Sequence, residues 1–231
     1  MLSEPASVQG HHGHSRDFPV ALRITEIFYS LQGEASRVGL PTIFVRLTGC
    51  PLRCTWCDTS YSFTGGEAAS IESVLAEVAK YPARQVCVTG GEPLAQKDCL
   101  PLLAALCDAG YEVSLETSGA LDISAVDPRV ARIMDLKAPD SGECAKNRWE
   151  NLAFLDARDE VKIVIASRGD YEWARQAFSE RHLDDCCPVL FSPVQGSLEP
   201  ATLAGWILED GLNVRFQLQL HKLLWGNMIG K

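Results

Sequence analysis

The sequence predicts an α/β fold, a partial, open (β/α)6-type barrel of mostly parallel strands, and three observations predict it. Apolar runs suited to strands alternate with stretches of helical periodicity from about residue 40 onward. Helices between strands imply right-handed βαβ crossovers and hence a parallel sheet. The sequence holds about six such units, fewer than the eight that close a full barrel. Polar and glycine-rich segments follow the strands, where such folds place their chemistry.

Each element has its own local signal. Strands are predicted from apolar runs at residues 42–48, 85–89, 112–117, 132–136, 161–166, 188–191 and 213–220. Helices are predicted at residues 70–80, 100–109, 148–157, 171–181 and 200–209. Ser70 is placed to cap the first helix, with Glu72 in its first turn. Gly110 and Gly211 are placed to end the second and the last helix.

Length and composition limit the class of protein. With 231 residues, 46% of them hydrophobic, we expect a single domain over residues 21–231 after a flexible leader of residues 1–20. Three leader histidines could bind a metal, but a flexible tail is the favoured interpretation: His11, His12 and His14. The net charge of -9 disfavours nucleic acid as a partner, because a polyanion would be repelled. Without an apolar run of roughly eighteen residues or a secretory signal, we expect a cytoplasmic protein with no membrane span.

Three of the nine cysteines form a metal-ligand pattern. Cys50, Cys54 and Cys57 follow the first predicted strand as C-x3-C-x2-C, and thiolates are the ligands that hold iron–sulfur clusters. Three thiolates on a four-iron cluster leave one iron open, whereas a structural zinc site needs a fourth ligand. No fourth ligand lies nearby in the sequence, so we expect a [4Fe-4S] cluster. The remaining cysteines lack ligand spacing and are interpreted as ordinary thiols: Cys87, Cys99, Cys107, Cys144, Cys186 and Cys187.

A second motif, Gly90-Gly91-Glu92-Pro93, ends the strand predicted at residues 85–89. Its glycines permit close approach of a ligand to the backbone, and Glu92 could hold an ammonium group. With the cysteine pattern, and with Trp56 as an aromatic cover for the cluster, it resembles the radical S-adenosylmethionine superfamily. The resemblance implies that S-adenosylmethionine binds the open iron and that one electron cleaves it. The 5′-deoxyadenosyl radical so formed would abstract hydrogen from the substrate.

Further segments resemble one family of that superfamily, the 7-carboxy-7-deazaguanine synthases, from about Ile24 to the C-terminus. They are Tyr29-Ser-Leu-Gln-Gly-Glu34, Arg46, Cys57-Asp58-Thr59 and Gln219-Leu-His221-Lys222. The resemblance implies conversion of 6-carboxy-5,6,7,8-tetrahydropterin to 7-carboxy-7-deazaguanine with loss of ammonia, on the route to queuosine and other deazapurines. It also implies that S-adenosylmethionine is regenerated in each turnover, that Mg2+ is needed, and that the chain forms a homodimer. A reductant such as flavodoxin would supply the electron.

The resemblance assigns roles to individual residues. Cys50, Cys54 and Cys57 would hold the cluster and Thr59 would bind Mg2+, which makes these four the catalytic residues. S-Adenosylmethionine would contact Trp56, Asp58, Gly91, Glu92, Glu116, Asp135, Lys137, Ser192 and Gln195. The pterin would contact Leu31, Gln32, Gly33, Glu34, Arg46, Thr89 and His221. The chemistry suits this substrate, because an amide and a carboxylate can match a pterin edge and an arginine can clamp a carboxylate with two hydrogen bonds.

Two other functions stay open from the sequence. A glycyl-radical-enzyme activase shares both motifs but acts on a protein backbone, so it has no need of segments that match a pterin. A zinc or iron–sulfur binding module without catalysis would need no cofactor cleft at the strand ends.

Several of the predicted site residues also have interpretations that involve no ligand. Thr59 could cap a turn, His221 could be a core histidine, Arg46 could be a surface residue, Asp135 and Lys137 could form a local ion pair, and Glu116 could be structural.

Overall fold

The computed structural model describes residues 22–226 and 228–231, so the predicted leader lies outside the described residues. Its strands are β1 (Leu22–Leu31), β2 (Pro41–Leu47), β3 (Glu67–Ala69), β4 (Gln85–Gly90), β5 (Glu112–Thr117), β6 (Ala131–Lys137), β7 (Glu160–Ile165), β8 (Val189–Pro193) and β9 (Arg215–Phe216). They form one nine-stranded sheet with the order β3-β1-β2-β4-β5-β6-β7-β8-β9.

Strand pairing confirms the predicted fold class. Every neighbouring pair from β2 to β9 is parallel. Strand β1 is antiparallel to both β2 and β3. Among the described strands, β3 and β9 end the sheet and do not pair with each other, so the barrel is partial and open.

Five α-helices occur in the described residues: α1 (Ile71–Val78), α2 (Cys99–Asp108), α3 (Arg168–Arg181), α4 (Pro200–Asp210) and α5 (Leu220–Trp225). The predicted ends of two of them are confirmed. Ser70 Oγ accepts a hydrogen bond from Ser73 N at 3.2 Å at the start of α1, and Gly211 ends α4 with a φ of 61°. Helices α1 to α4 bury apolar side chains in one core with the sheet. None of the helices in the described part of the chain is both long and apolar enough to cross a membrane.

Strands β1 and β3 were not among the predicted strands. Strand β1 carries charged side chains whose partners lie far along the chain, so its pattern does not alternate cleanly. Arg23 Nη1 donates to the carbonyl oxygens of Gly65 and Gly66 at 2.8 Å, just before β3. Glu26 of β1 forms an ion pair with Arg46 of β2. These polar contacts, and the antiparallel pairing they accompany, hold β1 beside the parallel strands.

Two predicted elements are wrong in type or extent. Residues 148–157 contain a short 3-10 helix, Trp149–Phe154, instead of an α-helix. The strand predicted at residues 213–220 stops after β9, because the chain then turns toward the loop after β1, where Leu220 N donates to Gly33 O at 2.9 Å. Gln219 to Lys222 therefore lie at the start of α5 and not at the end of a strand.

The connection from β5 to β6 has no α-helix and is held by one buried amide. The side chain of Asn151 accepts a hydrogen bond from Ile123 N at 3.3 Å. It donates to Gly119 O at 2.9 Å and to Leu121 O at 2.7 Å. One side chain thus satisfies three backbone groups of a connection that no helix supports.

Replacement of this amide should destabilise the protein. Asn151→Ala leaves three buried backbone groups without their partner, and we expect the free energy of unfolding to fall by about 1–3 kcal/mol. Denaturant unfolding followed by circular dichroism measures the change. Asn213→Ala, at an exposed position, is the control and should change the value by less than about 0.5 kcal/mol. Equal stability of the two variants would contradict the role given to Asn151.

Candidate active site

A cavity of about 570 Å3 opens at the carboxyl ends of the parallel strands. Its size is within the range of small-molecule sites. All but three of the predicted site residues line it: Leu31, Gln32, Gly33, Glu34, Arg46, Cys50, Cys54, Trp56, Cys57, Asp58, Thr59, Thr89, Gly91, Glu116, Asp135, Lys137 and His221. The structure therefore brings together residues that the sequence scatters over most of the chain. Glu92, Ser192 and Gln195 do not line this cavity.

The three predicted cluster ligands lie on the loop after β2 and are half-buried. Leu52 N donates to Cys50 Sγ at 3.4 Å, and Cys57 N donates to Cys54 O at 3.2 Å. Burial raises the pKa of the Cys50 and Cys54 thiols, so a bound metal would have to displace their protons. Within the described residues, no three His, Cys, Asp or Glu side chains are arranged so that they could hold a single metal ion. A four-iron cluster attaches each thiolate to a different iron, so three thiolates beside a cavity fit such a cluster.

The glycines after β4 bring the backbone close to the cysteine loop. Gly90 has a φ of 146°, and a Cβ there would lie 2.2 Å from Leu47 O. A Cβ on Gly91 would lie 2.2 Å from Gly49 O and 2.8 Å from Cys50 Cβ. A side chain at Gly90 would displace the end of β2, and one at Gly91 would displace the backbone of the cysteine loop. The glycines are thus needed to build the cavity, beyond any contact with a ligand.

The structure places Glu92 behind the cavity wall, although the sequence suggested a direct contact with a cofactor. Its side chain is fully buried, and its carboxylate accepts hydrogen bonds from protein groups on both oxygens. Thr117 Oγ1 donates at 2.9 Å, Ser118 N at 2.7 Å and Leu94 N at 3.1 Å. This carboxylate ties the turn after β4 to the end of β5. These contacts hold the wall in place, and a direct contact of Glu92 with the cofactor stays a prediction.

A hydrogen-bonded group forms one side of the cavity base. Glu116 Oε1 accepts from Gln32 Nε2 at 3.3 Å, and Glu116 Oε2 accepts from Thr89 Oγ1 at 2.8 Å. Gln32 Oε1 accepts from the N–H groups of Gly33 and Glu34 at 2.8 and 3.3 Å. Both lone pairs of Gln32 Oε1 and one of the two N–H groups of Nε2 are therefore engaged with the protein. Glu116, predicted on the cofactor side, lies among the residues predicted for the substrate.

A group of ions completes the base. Lys162 of β7 contacts Glu34 Oε2 and lies 3.2 Å from Asp135 Oδ2, while Lys137 lies 3.1 Å from Asp135 Oδ1. Burial would raise the pKa values of Glu34 and Asp135, but these ammonium groups lower both below their usual range. Asp135 Oδ1 is buried and has no hydrogen-bond partner of good geometry among the described residues. The base thus holds ionised groups, and Asp135 Oδ1, although paired with Lys137, keeps a lone pair for a further donor.

Arg46 is fixed by its neighbours before any ligand binds. Its Nε donates to Glu26 Oε1 at 2.7 Å, and Tyr61 donates its hydroxyl to the same oxygen at 2.7 Å. The guanidinium lies 5.6 Å from the ring centre of Phe28 and 5.9 Å from that of Tyr61. Among the described residues, its two Nη groups have no hydrogen-bonded acceptor, so they are available to an anion in the cavity.

Asp58, Thr59 and the C-terminal helix meet at the mouth of the cavity. Thr59 Oγ1 donates to Asp58 Oδ1 at 2.9 Å, and Lys222 Nζ lies 2.8 Å from Asp58 Oδ2. Burial would raise the pKa of Asp58, but Lys222 and the Thr59 hydroxyl bring it down to about 2. The imidazole of His221 packs on Gly33, where a Cβ would lie 2.1 Å from its Nδ1. Two oxygens side by side suit a hard cation such as Mg2+.

Two predicted cofactor residues lie elsewhere. Ser192 is 2% exposed, and its hydroxyl has no hydrogen-bond partner among the described residues. Gln195 is exposed and lines a second cavity of about 380 Å3, which shares Gln219 and Lys222 with the first. Direct contacts of Ser192 and Gln195 with a molecule in the main cavity stay predictions.

The sequence analysis missed several residues of the site. Glu26 and Tyr61 orient Arg46, Gln219 donates to Glu34 Oε1 at 2.5 Å, and Lys162 supplies the central ammonium. A signal existed for Lys162, a lysine within an apolar strand run, which is rare without a buried partner. Gln219 opens the segment Gln219-Leu-His221-Lys222 that carries the family resemblance, but no role was assigned to it. Glu26 and Tyr61 became visible only through contacts between segments distant in the chain.

Comparison with known proteins agrees with this geometry. Residues 44–141 match the family model of the radical SAM superfamily. The chain is 47% identical over 207 residues to a 7-carboxy-7-deazaguanine synthase of Chlorobaculum tepidum, which covers 88% of this chain and 94% of that protein. It is 45% identical over 219 residues to the synthase of the same name from Koribacter versatilis, with 88% and 97% of the two chains covered. The crystal structure of QueE from Escherichia coli is similar with a TM-score of 0.73 and 27% identity, over 87% of this chain and 95% of that one. The chain therefore belongs to the 7-carboxy-7-deazaguanine synthase family of radical S-adenosylmethionine enzymes.

Proposed function

We propose that the protein converts 6-carboxy-5,6,7,8-tetrahydropterin to 7-carboxy-7-deazaguanine with loss of ammonia, as a lyase on the route to queuosine and related 7-deazapurines. One observation carries the proposal. Three cysteines with cluster spacing and an oriented arginine line one cavity in a chain 47% identical to a synthase of that name. When bound, the [4Fe-4S] cluster and S-adenosylmethionine supply the one-electron chemistry that starts hydrogen abstraction. The residues of the chain bind, orient and shield the reactants.

Cys50, Cys54 and Cys57 would hold the cluster, because all three line the cavity on one loop. The S-adenosylmethionine would lie between this loop, Gly91 and the end of β6. Asp135 Oδ1, which is paired with Lys137 at 3.1 Å, keeps a lone pair for a hydroxyl donor such as those of a ribose. Trp56 lines the same wall and would shield the cluster from water. Exclusion of water strengthens the polar contacts inside the site.

The pterin would lie against the loop after β1. Glu34 is held ionised by Lys162, and each carboxylate oxygen keeps a lone pair for a ring N–H even after its protein contacts are made. The engaged amide of Gln32 would shape the backbone of Leu31 and Gly33 toward the ring edge and contribute less directly. Thr89 and His221 would close the two ends of this binding surface.

The carboxylate of the substrate would bind Arg46. The guanidinium is already oriented by Glu26 and Tyr61, and its Nη groups remain free to donate two parallel hydrogen bonds. Little side-chain entropy is lost on binding, because the rings of Phe28 and Tyr61 already confine the group.

Mg2+ would bind at Thr59 beside Asp58 and take most of its ligands from the substrate and water. A neutral hydroxyl is a weak ligand, and Mg2+ usually keeps few protein ligands. The pair of Thr59 Oγ1 and Asp58 Oδ1, 2.9 Å apart, supports this placement.

A reductant such as flavodoxin and a second copy of the chain are the proposed partners. The cluster loop is reachable from solvent at Pro51 and Arg53, which suits electron transfer from outside. Exposed apolar side chains near the C-terminus support assembly as a homodimer: Leu223, Leu224, Met228 and Ile229.

Loss of any cluster ligand should abolish both the cluster and turnover. Cys50→Ala, Cys54→Ala and Cys57→Ala should each lose the visible absorbance of a four-iron cluster after anaerobic reconstitution, because two thiolates cannot hold it in place. Cys107→Ser on α2 is the matched control and should keep both absorbance and product formation. A ligand variant that retains a four-iron spectrum and normal cleavage of S-adenosylmethionine would refute the assignment.

Removal of the arginine should weaken substrate binding without loss of the cluster. We expect Arg46→Ala to reduce the binding free energy of the carboxypterin by about 2–5 kcal/mol, because it deletes a charge-assisted contact and leaves Glu26 unpaired near the ligand. Binding is measured by calorimetry without reductant, with Arg175→Ala on α3 as the control. Unchanged affinity in Arg46→Ala would rule out the clamp.

Magnesium should bind well only when the substrate is present. Thr59→Ala should lower turnover and weaken its dependence on Mg2+, because one ligand of the ion is lost. Binding of S-adenosylmethionine should be unchanged. Calorimetric titration of Mg2+ into cofactor-bound enzyme, with and without the pterin, tests this directly. Ser60→Ala, at the exposed neighbouring position, is the control. Tight binding without substrate that persists in Thr59→Ala would instead point to a separate carboxylate site.

A further inference from the structure

Lys162 is a charged side chain in the interior of the sheet. Strand β7 is buried at every position except Val164, and the side chain of Lys162 is only 11% exposed. The parallel register places Lys162 opposite Asp135 of β6, and both side chains line the main cavity. An ammonium group in such a position is retained only when counter-charges hold it.

The ammonium of Lys162 lies between two carboxylates. It contacts Glu34 Oε2 and lies 3.2 Å from Asp135 Oδ2. The other oxygen of Glu34 accepts from Gln219 Nε2 at 2.5 Å, and the other oxygen of Asp135 lies 3.1 Å from Lys137 Nζ. We call this unbroken series of contacts, from Gln219 through Glu34, Lys162 and Asp135 to Lys137, the ionic bridge.

The ionic bridge joins two parts of the cavity that the backbone does not join directly. Glu34 belongs to the loop between β1 and β2, where the pterin is proposed to bind. Lys137 ends β6, and the segment after it holds the cluster loop through a hydrogen bond from Thr55 N to Ser141 O at 3.0 Å. Among the residues that the structure describes, Lys162 is the one cation in contact with carboxylates from both parts. Its position therefore sets how far apart they lie.

The charge of Lys162 is what keeps the two carboxylates together. Burial would lower the pKa of Lys162, but Glu34 and Asp135 raise it well above its usual value, so the group is cationic. Without it, two buried carboxylates would face each other, and among the described residues their remaining direct polar partners would be Lys137 and the Gln219 amide. Like charges in a poorly solvated site repel strongly, so Glu34 would move or take up a proton.

We propose that Lys162 is a positioning residue that holds the pterin-binding Glu34 and the cofactor-side Asp135 at a fixed separation, so that each bound ligand prepares the site for the other. This inference rests on the proposed function and specifies how its two ligands are coupled. The protein groups alone already form the ionic bridge. S-Adenosylmethionine bound against Asp135 restrains it further, and the restrained bridge keeps Glu34 in position for the pterin. The coupling is reciprocal, as linkage requires.

The test uses Lys162→Met, which keeps the length of the side chain but removes the charge, and Lys162→Arg, which keeps the charge. The dissociation constant of the carboxypterin is measured by calorimetry on reconstituted enzyme without reductant, with and without S-adenosylmethionine. In the wild type we expect the cofactor to tighten pterin binding on the order of tenfold. In Lys162→Met this ratio falls to near one, and Lys162→Arg restores most of it.

A second readout follows turnover with reductant. A pterin that is badly placed relative to the cofactor should allow abortive cleavage, so the ratio of free 5′-deoxyadenosine to product rises in Lys162→Met and not in Lys162→Arg. Lys80→Met removes an exposed lysine from α1's C-terminal end and should leave both readouts at wild-type values. If Lys162→Met loses its thermal unfolding transition, Lys162→Gln replaces it, because an amide keeps donors to the carboxylates without the charge.

The outcomes separate the inference from the function on which it rests. A wild-type enzyme that neither binds the carboxypterin nor forms product would refute the proposed function itself. A wild-type enzyme that does both, with an uncharged Lys162 variant that keeps the binding ratio and the product ratio, would overturn only the positioning role. Equal weakening of both ligands with an unchanged binding ratio would also overturn it, since that is the result of a merely structural lysine.

Discussion

Parallel pairing of the strands from β2 to β8 is the constraint on which the site depends. The register sets Leu47 beside Gly90, Thr117 beside Met134 and Lys137 beside Val164, so successive strands end along one edge of the sheet. Every loop that follows one of these parallel strands starts from that edge, whereas the loop after the antiparallel β1 starts from the opposite edge, because Leu31 pairs with Pro41 at the start of β2. Cysteines, glycines and carboxylates that are far apart in sequence therefore open into one cavity. A change of pairing at any one strand would remove its residues from the site.

The other half of the site comes from a segment outside the parallel strands. The loop after β1 is held against the last part of the chain, because Ala35 N donates to Gln217 Oε1 at 2.6 Å and Gln217 Nε2 donates back to Ala35 O at 3.0 Å. Ala35 has a φ of 64°, a conformation that few residues adopt without such support. Ser36 N also donates to Glu160 Oε1 at 2.9 Å. Glu160 is the first residue of β7, so these contacts hold the loop at the amino end of that strand, from where Glu34 reaches Lys162. They also explain why the C-terminal segment turns away from the sheet after β9.

Features of the site that depend on residues close together in the sequence could be predicted, whereas features that depend on residues far apart could not. The cysteine loop was predictable because its ligands lie within eight residues, 50–57, and the spacing itself carries the chemistry. The central role of Lys162 was not, because its partner Glu34 lies 128 residues away. Glu92 shows a different limit. The sequence correctly predicted that its motif lies at the end of a strand, but only the contacts with Thr117 and Ser118 reveal that its carboxylate points into the cavity wall. The fold class was predictable because predicted strands alternate with predicted helices over most of the sequence. Strand β1 was not predictable, because it depends on pairing partners that no local pattern identifies.

The charged side chains named at the cavity each form an ion pair with another side chain of the protein, without any ligand. Arg46 is paired with Glu26, Lys222 with Asp58, and Lys162 and Lys137 with Glu34 and Asp135. Paired, partly buried charges do not reorient freely, so the dipoles that meet a ligand are already in place and little reorganisation accompanies binding. The arrangement also discriminates between ligands, because the Nη donors of Arg46 have no acceptor among the described residues and thus favour an anionic group. A neutral pterin would leave those donors unsatisfied in a closed site, and an unsatisfied buried donor is penalised more heavily than a good hydrogen bond is rewarded. In the proposed function, selectivity for a carboxylated substrate would follow from how the arginine is held as much as from its charge.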